Sequence, residues 1–269
     1  MHLSFLVYVL IVKTNNMEVE EIYDRIIKLN DLSPSEKVNF LFTQLVNKAT
    51  DWNTKYDLRD SEIDKLQKIC SASEFELEKY WAKRIINSDD PQKELQNFPY
   101  TKNYKDLSRL KWFSIKGCSE HLIHKILFIG GGPLPMTSIV LANDFGLSST
   151  ILDIDKTAAE LSTCLIEKLN LQDKIKIINS SGETFDKYSD YNIIFVAALA
   201  GSDEKDKEKI FDQINNQAKD HIHVLARSSW ANRTLLYKPL SESIFKKFKP
   251  IIQINPFNDI VNSIVIFSN

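Results

Sequence analysis

Three consecutive glycines follow an apolar stretch of this chain, in a pattern typical of a ligand-binding turn after a β-strand. Gly130, Gly131 and Gly132 come directly after the residues KILFI. Glycine has no Cβ, so the backbone can turn sharply there and approach a ligand closely. The dinucleotide fingerprint G-x-G-x-x-G begins in this way, but Pro135 stands where its third glycine would be. Pro133 and Pro135 each remove an N–H that could bind a phosphate. The loop therefore favours a nucleoside without a diphosphate over NAD, and S-adenosylmethionine (SAM) is the expected ligand.

Two aspartates end the next predicted strand, about twenty residues after the glycines. A carboxylate at this separation can accept hydrogen bonds from both hydroxyls of a ribose. Asp153 is the first choice for that role and Asp155 the second. The alternative is that they cap the helix predicted at residues 156–169. The glycines and the acid occur together at the expected spacing, which favours the ribose role for one of them.

Two later segments are predicted to complete the nucleoside site. The third strand leads into Gly182, beside which an adenine ring would lie, and the fourth leads into Ala197 and Ala198. The small side chains of these alanines leave room for a ligand over the strand end. Either segment could instead be a plain turn.

The elements that must position these residues alternate between strands and helices from residue 125 onward. Strands are predicted at 125–131, 149–154, 174–179, 192–198 and 221–227, and helices at 134–145, 156–169 and 204–216. Two late apolar runs, 251–254 and 260–267, could form an antiparallel pair. Alternation of this kind predicts an α/β fold with a Rossmann-like, doubly wound sheet. Ligands bind such a sheet at the carboxyl ends of its strands.

The first half of the chain has helical periodicity instead, with apolar residues recurring at three- and four-residue spacing. A helix starts after Met17, another is predicted to start near Ser35, and further helices are expected at 61–70, 73–87 and 92–112. We therefore expect a helical domain at 17–115 and a SAM-binding domain at 116–269. Residues 1–16 are interpreted as a dispensable extension, whose apolar run is too short to span a bilayer.

Composition excludes several classes of protein. The 269 residues carry a formal net charge of −2, which argues against a nucleic-acid binder with a broad basic face. The three cysteines are scattered, as expected for a protein of the reducing cytoplasm. His121 and His124 are three residues apart, and His221 and His223 are two apart, but no cysteine or acid completes either pair. Solvated or satisfied histidines are expected, and no metal.

Four segments together resemble the nicotianamine synthase family. They are GGGPLPMTSIVLA, LDID, VAALA and RSSWANRTLLYKP. The proline-flanked glycine loop is unusual among SAM-dependent methyltransferases, and the resemblance extends from about residue 73 to the end. It implies transfer of the 3-amino-3-carboxypropyl (aminobutyrate) group of SAM to an amine, with release of 5′-methylthioadenosine. A homodimer is also implied.

The resemblance assigns the chemistry to the helical half. An amine attacks only when it is neutral, so a base is needed beside it. Glu78 and Tyr104 match the glutamate and tyrosine that the family uses. Read without the resemblance, Glu78 would be one of several solvated acids and Tyr104 a half-buried aromatic residue.

Two arginines near the end of the last parallel strand complete the prediction. Arg227 and Arg233 would form a fork for a carboxylate of SAM or of the acceptor, although surface pairing with acids is an alternative. The chain departs from its relatives here, with Ser229 and Trp230 between the arginines, and also at Gly182, where an acid is expected.

Within the family, the length of the chain resembles the bacterial opine-metallophore branch. Those enzymes make one aminobutyrate transfer to histidine; the staphylopine type uses D-histidine, and others use L-histidine. Richness in Asn, Lys and Ile mildly favours this type. The alternatives are a nicotianamine synthase proper with SAM as acceptor, an ordinary methyltransferase, and a SAM-binding protein without activity.

Overall fold

The computed structural model describes residues 17–119, 125–201, 203–217 and 222–268. The interpretation of residues 1–16 as an extension, and the histidines at 121, 124 and 221, lie outside the described residues. No helix in the described ranges is long and apolar enough to cross a membrane.

The first half of the described chain is helical, as the periodicity predicts. Its helices are α1 (Val19–Ile26), α2 (Glu36–Thr50), α3 (Asp60–Ile86), α4 (Pro91–Gln96) and α5 (Thr101–Cys118). Ser35 caps α2 by accepting a hydrogen bond from the N–H of Val38 at 3.3 Å.

Two predicted boundaries in this half are wrong. The helices expected at 61–70 and 73–87 form the single helix α3, because no glycine or proline interrupts the backbone hydrogen bonds between them. The single helix expected at 92–112 is instead α4 and α5. Pro99 lies between them, and a proline cannot donate the hydrogen bond that a continuous helix needs.

The second half forms a seven-stranded sheet in the order β3-β2-β1-β4-β5-β7-β6. The strands are β1 (Ile126–Ile129), β2 (Ser149–Asp153), β3 (Ile175–Asn179), β4 (Ile193–Val196), β5 (His223–Ser228), β6 (Lys249–Ile254) and β7 (Ser263–Ser268). The first five pair in parallel, whereas β7 runs antiparallel to both β5 and β6. The predictions of a doubly wound α/β sheet and of the late antiparallel pair are confirmed.

The remaining helices are α6 (Met136–Phe145), α7 (Lys156–Lys168), α8 (Glu204–Gln217) and α9 (Glu242–Lys247). Strand order reverses between β1 and β4, so the carboxyl ends of these neighbours diverge into a crevice. The glycines that follow β1 therefore lie at the point where this kind of sheet binds ligands.

The hydrophobic core joins the two halves and fixes the helices over that crevice. Trp81 and Ile85 of α3, with Leu107 and Ile115 of α5, pack in one buried cluster with the strands. A second cluster lies between α1, α2, α3 and the segment that contains Leu235 and Leu236. One face of α3 and α5 is thus held against the carboxyl ends of the strands, which decides where Glu78 and Tyr104 lie.

Candidate active site

A cavity of about 360 Å³ lies at the carboxyl ends of the parallel strands, and every predicted site residue except Arg233 lines it. We call it the first cavity. The predicted residues that it brings together are Glu78, Tyr104, Gly130, Gly131, Gly132, Pro133, Asp153, Asp155, Gly182, Ala197, Ala198 and Arg227. They come from both halves of the chain, so the helices and the sheet build one site.

The glycine loop is held by an acid from the next strand. Asp153 accepts a hydrogen bond from the N–H of Gly132 at 2.7 Å through one oxygen and from the N–H of Asp155 at 3.0 Å through the other. The N–H of Gly130 is also used, by the carbonyl of Leu152 at 2.8 Å. The N–H groups of Gly130 and Gly132 are therefore already hydrogen-bonded within the protein, whereas a phosphate-binding loop leaves such N–H groups available to its ligand.

The two aspartates after the glycines differ in what they bind. Asp155 accepts a hydrogen bond from the N–H of Ala158 at 2.8 Å and so caps α7, which is the alternative considered from the sequence. Asp153 is 8% exposed and faces the cavity, and its burial raises the pKa of its carboxyl group. Of the pair, Asp153 is the better placed for a ribose, because its carboxylate joins the glycine loop to the cavity.

Replacing Asp153 by asparagine is expected to weaken SAM binding about tenfold. One carboxylate oxygen becomes an NH₂ group that cannot accept from a backbone N–H, which leaves one N–H of the turn without its partner. Asp155→Asn is the matched control, because asparagine also caps helices well. Calorimetric titration with SAM measures both variants, and equal affinities would contradict the role given to Asp153.

Two large apolar side chains line the first cavity just after β2 and β4. They are Ile154 and Leu199, which are 72% and 40% exposed, high values for large apolar side chains. Lys207 donates a hydrogen bond to the carbonyl of Ala198, next to Leu199, and burial lowers the pKa of Lys207 to about 8.

Packing accounts for the glycine at position 182, where the family resemblance led us to expect an acid. A Cβ at residue 182 would lie 3.1 Å from Cγ2 of Ile129 and 3.3 Å from side-chain carbons of Ile210. Any larger residue at Gly182 would therefore have to displace one of these isoleucines.

Four polar side chains form a hydrogen-bonded wall on the helical side of the cavity. Tyr104 donates to Oε1 of Glu78 at 3.0 Å and lies 3.5 Å from Oε1 of Glu74, while Tyr237 donates to Oε2 of Glu74 at 2.7 Å. Glu74 and Glu78 are one turn apart on α3, so both reach the same face. We call these four residues the acidic wall.

Burial changes the protonation of the acidic wall. Loss of hydration raises the pKa of Glu78 well above its ordinary value and also raises that of Glu74, and the charge of Glu74 raises the pKa of Glu78 further. The pKa values of Tyr104 and Tyr237 are raised well above the ordinary value for the same reasons. The tyrosines therefore remain hydrogen-bond donors, and the two carboxyl groups together retain a proton to higher pH than an isolated glutamate.

A buried chain of three polar side chains lies behind the wall. Arg227 donates to Oγ1 of Thr137 at 2.6 Å, and Nζ of Lys111 lies 3.2 Å from the same oxygen. Lys111 is fully buried against the rings of Phe128 and Phe195, and desolvation lowers its pKa well below the ordinary value. Arg227 lines the cavity, and its buried Nε has no hydrogen-bond partner among the described residues. The guanidinium thus retains a free donor.

The predicted arginine fork does not form. Arg233 donates to the carbonyl of Ile260 at 3.1 Å and to that of Asn258 at 2.6 Å, and it does not line the first cavity. Its guanidinium holds the segment before β7, whereas Arg227 alone faces the site.

Sequence reasoning missed several of these residues. The sequence spacing could have identified Glu74, because it precedes Glu78 by four residues and therefore lies on the same face of the helix. It could not have identified Thr137, Tyr237 and Lys111, since their positions depend on how distant segments pack. In the described part of the chain, no group of three or more His, Cys, Asp or Glu residues could hold a metal ion.

A smaller cavity of about 100 Å³ lies on the other side of the acidic wall. We call it the second cavity. All four wall residues line both cavities, and the second is otherwise enclosed mainly by apolar side chains of α2, α3 and α5. The wall therefore separates a large polar chamber from a small apolar one.

Comparison with known proteins agrees with this architecture. The family model described as "Nicotianamine synthase protein" matches residues 11–269. Nicotianamine synthase 1 of Arabidopsis thaliana is 32% identical over 269 residues, which cover 94% of this chain and 84% of that protein. The nicotianamine synthase of Solanum lycopersicum is 32% identical over 260 residues, which cover 93% of this chain and 81% of that protein.

Solved structures share the fold. The protein MtNAS in complex with MTA and tNA superposes with a TM-score of 0.81 at 24% identity, covering 99% of both chains. A glutamate-to-glutamine mutant of MtNAS in complex with S-adenosylmethionine gives a TM-score of 0.80 at 24% identity, covering 93% of this chain and 96% of the other. With a family model that covers almost the whole sequence and plant relatives above 30% identity, this chain belongs to the nicotianamine synthase family.

Proposed function

We propose that this protein transfers the aminobutyrate group of SAM to the amine of histidine, with D-histidine as the preferred enantiomer, and releases 5′-methylthioadenosine. The observation that carries the proposal is the acidic wall, which sets a buried carboxylate beside the glycine loop. A Cβ at residue 132 would lie 2.3 Å from Oε2 of Glu78, so the carboxylate rests against the loop itself. A base in this place can reach an amine next to a nucleoside bound in the first cavity.

Several features support SAM as the ligand of the first cavity. Asp153 would hold the ribose, and the exposed apolar side chains of Ile154 and Leu199 would contact the adenine. Arg227 has a free Nε for a carboxylate of SAM or of the acceptor. Two N–H groups of the glycine loop are hydrogen-bonded within the protein and are not available to a phosphate, which fits a nucleoside without a diphosphate.

The proposed transfer is a displacement at the γ-carbon of the methionine arm. The amine nitrogen forms a bond to that carbon while the carbon–sulfur bond breaks, and the electron pair leaves with sulfur as the neutral thioether. The amine proton passes to the carboxylate of Glu78, and Tyr104 orients the groups through its hydrogen bond. The positive charge of the sulfonium favours the ionised carboxylate beside it, which offsets the effect of burial.

Residues 17–115 would form the acceptor side of the site and residues 116–269 the SAM side. This division rests on the origin of the lining residues, because Glu74, Glu78 and Tyr104 come from α3 and α5. The proposal includes a homodimer, a cytoplasmic location and a role in making a nicotianamine-like metallophore of the staphylopine type. These follow from the family resemblance.

The experiment that tests the proposal is incubation with SAM and each enantiomer of histidine, followed by product masses. We expect methylthioadenosine and an N-aminobutyryl histidine. S-adenosylhomocysteine as product would indicate a methyltransferase, and bound SAM without turnover would indicate a binding protein. Transfer with SAM as the sole substrate would indicate a nicotianamine synthase proper, which the names of the plant relatives favour.

A further inference from the structure

A lysine lies buried behind the first cavity, against two aromatic rings. Lys111 of α5 is 0% exposed, and its Nζ lies 5.7 Å from the ring centroid of Phe128 and 5.8 Å from that of Phe195. Among the described residues, its hydrogen-bond partner is Thr137, and the charge that acts on it is the like charge of Arg227. A buried ammonium without an acid is costly, so these surroundings favour the uncharged amine.

The hydroxyl of Thr137 joins this amine to Arg227. Nη2 of Arg227 donates to Oγ1 of Thr137 at 2.6 Å, and Nζ of Lys111 lies 3.2 Å from the same oxygen. A hydroxyl has one proton to donate and two lone pairs that accept. An uncharged Lys111 can accept the hydrogen bond of that proton, which leaves the lone pairs of Thr137 for the guanidinium. The three side chains then form one hydrogen-bonded chain with a fixed direction, from Arg227 through Thr137 to Lys111.

Arg227 stands between this chain and the site. Its guanidinium carbon lies 5.6 Å from the ring centroid of Tyr104 and 5.7 Å from that of Phe128, and the residue lines the first cavity. Burial raises the pKa values of all four residues of the acidic wall, and the charge of Arg227 partly offsets each rise. Nε of Arg227 has no partner among the described residues. A displaced guanidinium would therefore change both the donor offered to a ligand and the charge beside the wall.

We propose that Lys111 is a positioning residue, which acts through Thr137 to aim Arg227 at the carboxylate of a bound substrate. This inference rests on the proposed function, because it assumes that SAM and an amino-acid acceptor, each with a carboxylate, occupy the first cavity. Lys111 does not line that cavity, so its effect on a substrate must pass through Thr137 and Arg227, which do.

The test compares two ligands that differ in the carboxylate. SAM carries the aminobutyrate group, whereas methylthioadenosine keeps the nucleoside and lacks that group. Lys111→Met keeps an unbranched, flexible chain in the apolar surroundings but ends without the amine. We expect the affinity for SAM to fall at least ~10-fold in calorimetric titration, and the affinity for methylthioadenosine to remain unchanged.

Ser108→Ala is the matched control on the same helix. Ser108 lies one turn before Lys111 and is fully buried, and its Oγ has no hydrogen-bond partner among the described residues. We expect this variant to bind both ligands as the unaltered protein does.

A second variant breaks the chain at its middle member. Thr137→Val removes the hydroxyl and should also lower the affinity for SAM more than the affinity for methylthioadenosine. Because both substitutions break one chain, the double variant with Lys111→Met should lose no more SAM affinity than Thr137→Val alone. Losses that simply add would contradict the chain, and unchanged discrimination between the two ligands in Thr137→Val overturns the inference even if Lys111→Met does not fold.

The remaining outcomes separate the two carboxylates and the two proposals. Unchanged SAM affinity in Lys111→Met, with KM for histidine raised at least ~10-fold and kcat retained, assigns the contact to the acceptor and supports the inference. Equal losses for SAM and methylthioadenosine indicate a merely structural role and overturn it, as do unchanged binding and kinetics. SAM that binds the unaltered protein without methylthioadenosine release overturns the proposed function alone, and absence of SAM binding overturns both.

Discussion

Glu78→Gln is expected to lower kcat about 10²- to 10⁴-fold while SAM binding is retained, the range for loss of a general base. Glutamine has the shape of glutamate and can still accept the hydrogen bond from Tyr104, but it cannot take a proton from the acceptor amine. Turnover is measured as methylthioadenosine release, and SAM affinity by calorimetry. Glu76→Gln is the control on the same helix, because Glu76 pairs with Lys79 away from the wall. Equal losses in the two variants would contradict the assignment.

The pH dependence gives this prediction a second readout. Because the pKa of Glu78 is raised, the base is ionised only at higher pH than an ordinary glutamate, and kcat/KM should rise with pH above 4.5. In Glu78→Gln that limb should be lost and the residual rate should vary less with pH. A profile that keeps the same limb would assign the base to another group, such as Glu74.

The same raised pKa predicts the direction of the stability change. The folded protein holds a proton on Glu78 at pH values where the unfolded chain has released it, so stability falls as pH rises from about 4.5 through the folded pKa. Above that window the buried charge opposes folding. Glu78→Gln should therefore raise the melting temperature at neutral pH, and the difference should shrink toward pH 4. A loss of activity accompanied by a gain in stability separates a catalytic role from a structural one.

The sequence predicts the site residues that lie at strand ends, because their place follows from the local pattern of strands and helices. It does not predict the residues that reach the site through the packing of distant segments. The glycines, Asp153 and the paired alanines lie at strand ends, where a doubly wound sheet always places its ligand site. Glu78 and Tyr104 carry no such local signal, and only the family resemblance assigned them. Their partner Tyr237 is 163 residues from Glu74 in the chain, a separation that no periodicity encodes.

The two arginines also show that the sequence alone does not reveal which of two similar residues contacts the ligand. Arg227 and Arg233 are both buried, six residues apart, and look equivalent in sequence. Arg227 ends in the cavity because β5 carries it to the strand ends. The 3₁₀ turn Ala231–Leu235 turns Arg233 toward backbone carbonyls instead. The position of the bend after β5 therefore determines that Arg227 faces the cavity and that Arg233 has a structural role.

Gly132→Ala is expected to cost about 1–3 kcal/mol of stability and to lower activity at least ~10²-fold. Gly132 has φ +69, which is strained for any residue with a Cβ, and the added Cβ would lie 2.3 Å from Oε2 of Glu78. The carboxylate would have to move away from the loop and from Tyr104, so the variant displaces the base without removing it. Chemical denaturation and methylthioadenosine release measure the two effects.

Gly146→Ala is the control that separates the effect of backbone strain from the effect of displacing Glu78. Gly146 ends α6 with φ +68, almost the same backbone strain, but nothing lies within 4 Å of the added Cβ and the residue is remote from both cavities. It should lose a similar amount of stability and keep full activity. If Gly132→Ala also kept full activity, the carboxylate of Glu78 would not have to rest against the loop for transfer. If only Gly132→Ala is inactive, the contact between the glycine loop and Glu78 is what brings the base to the bound nucleoside.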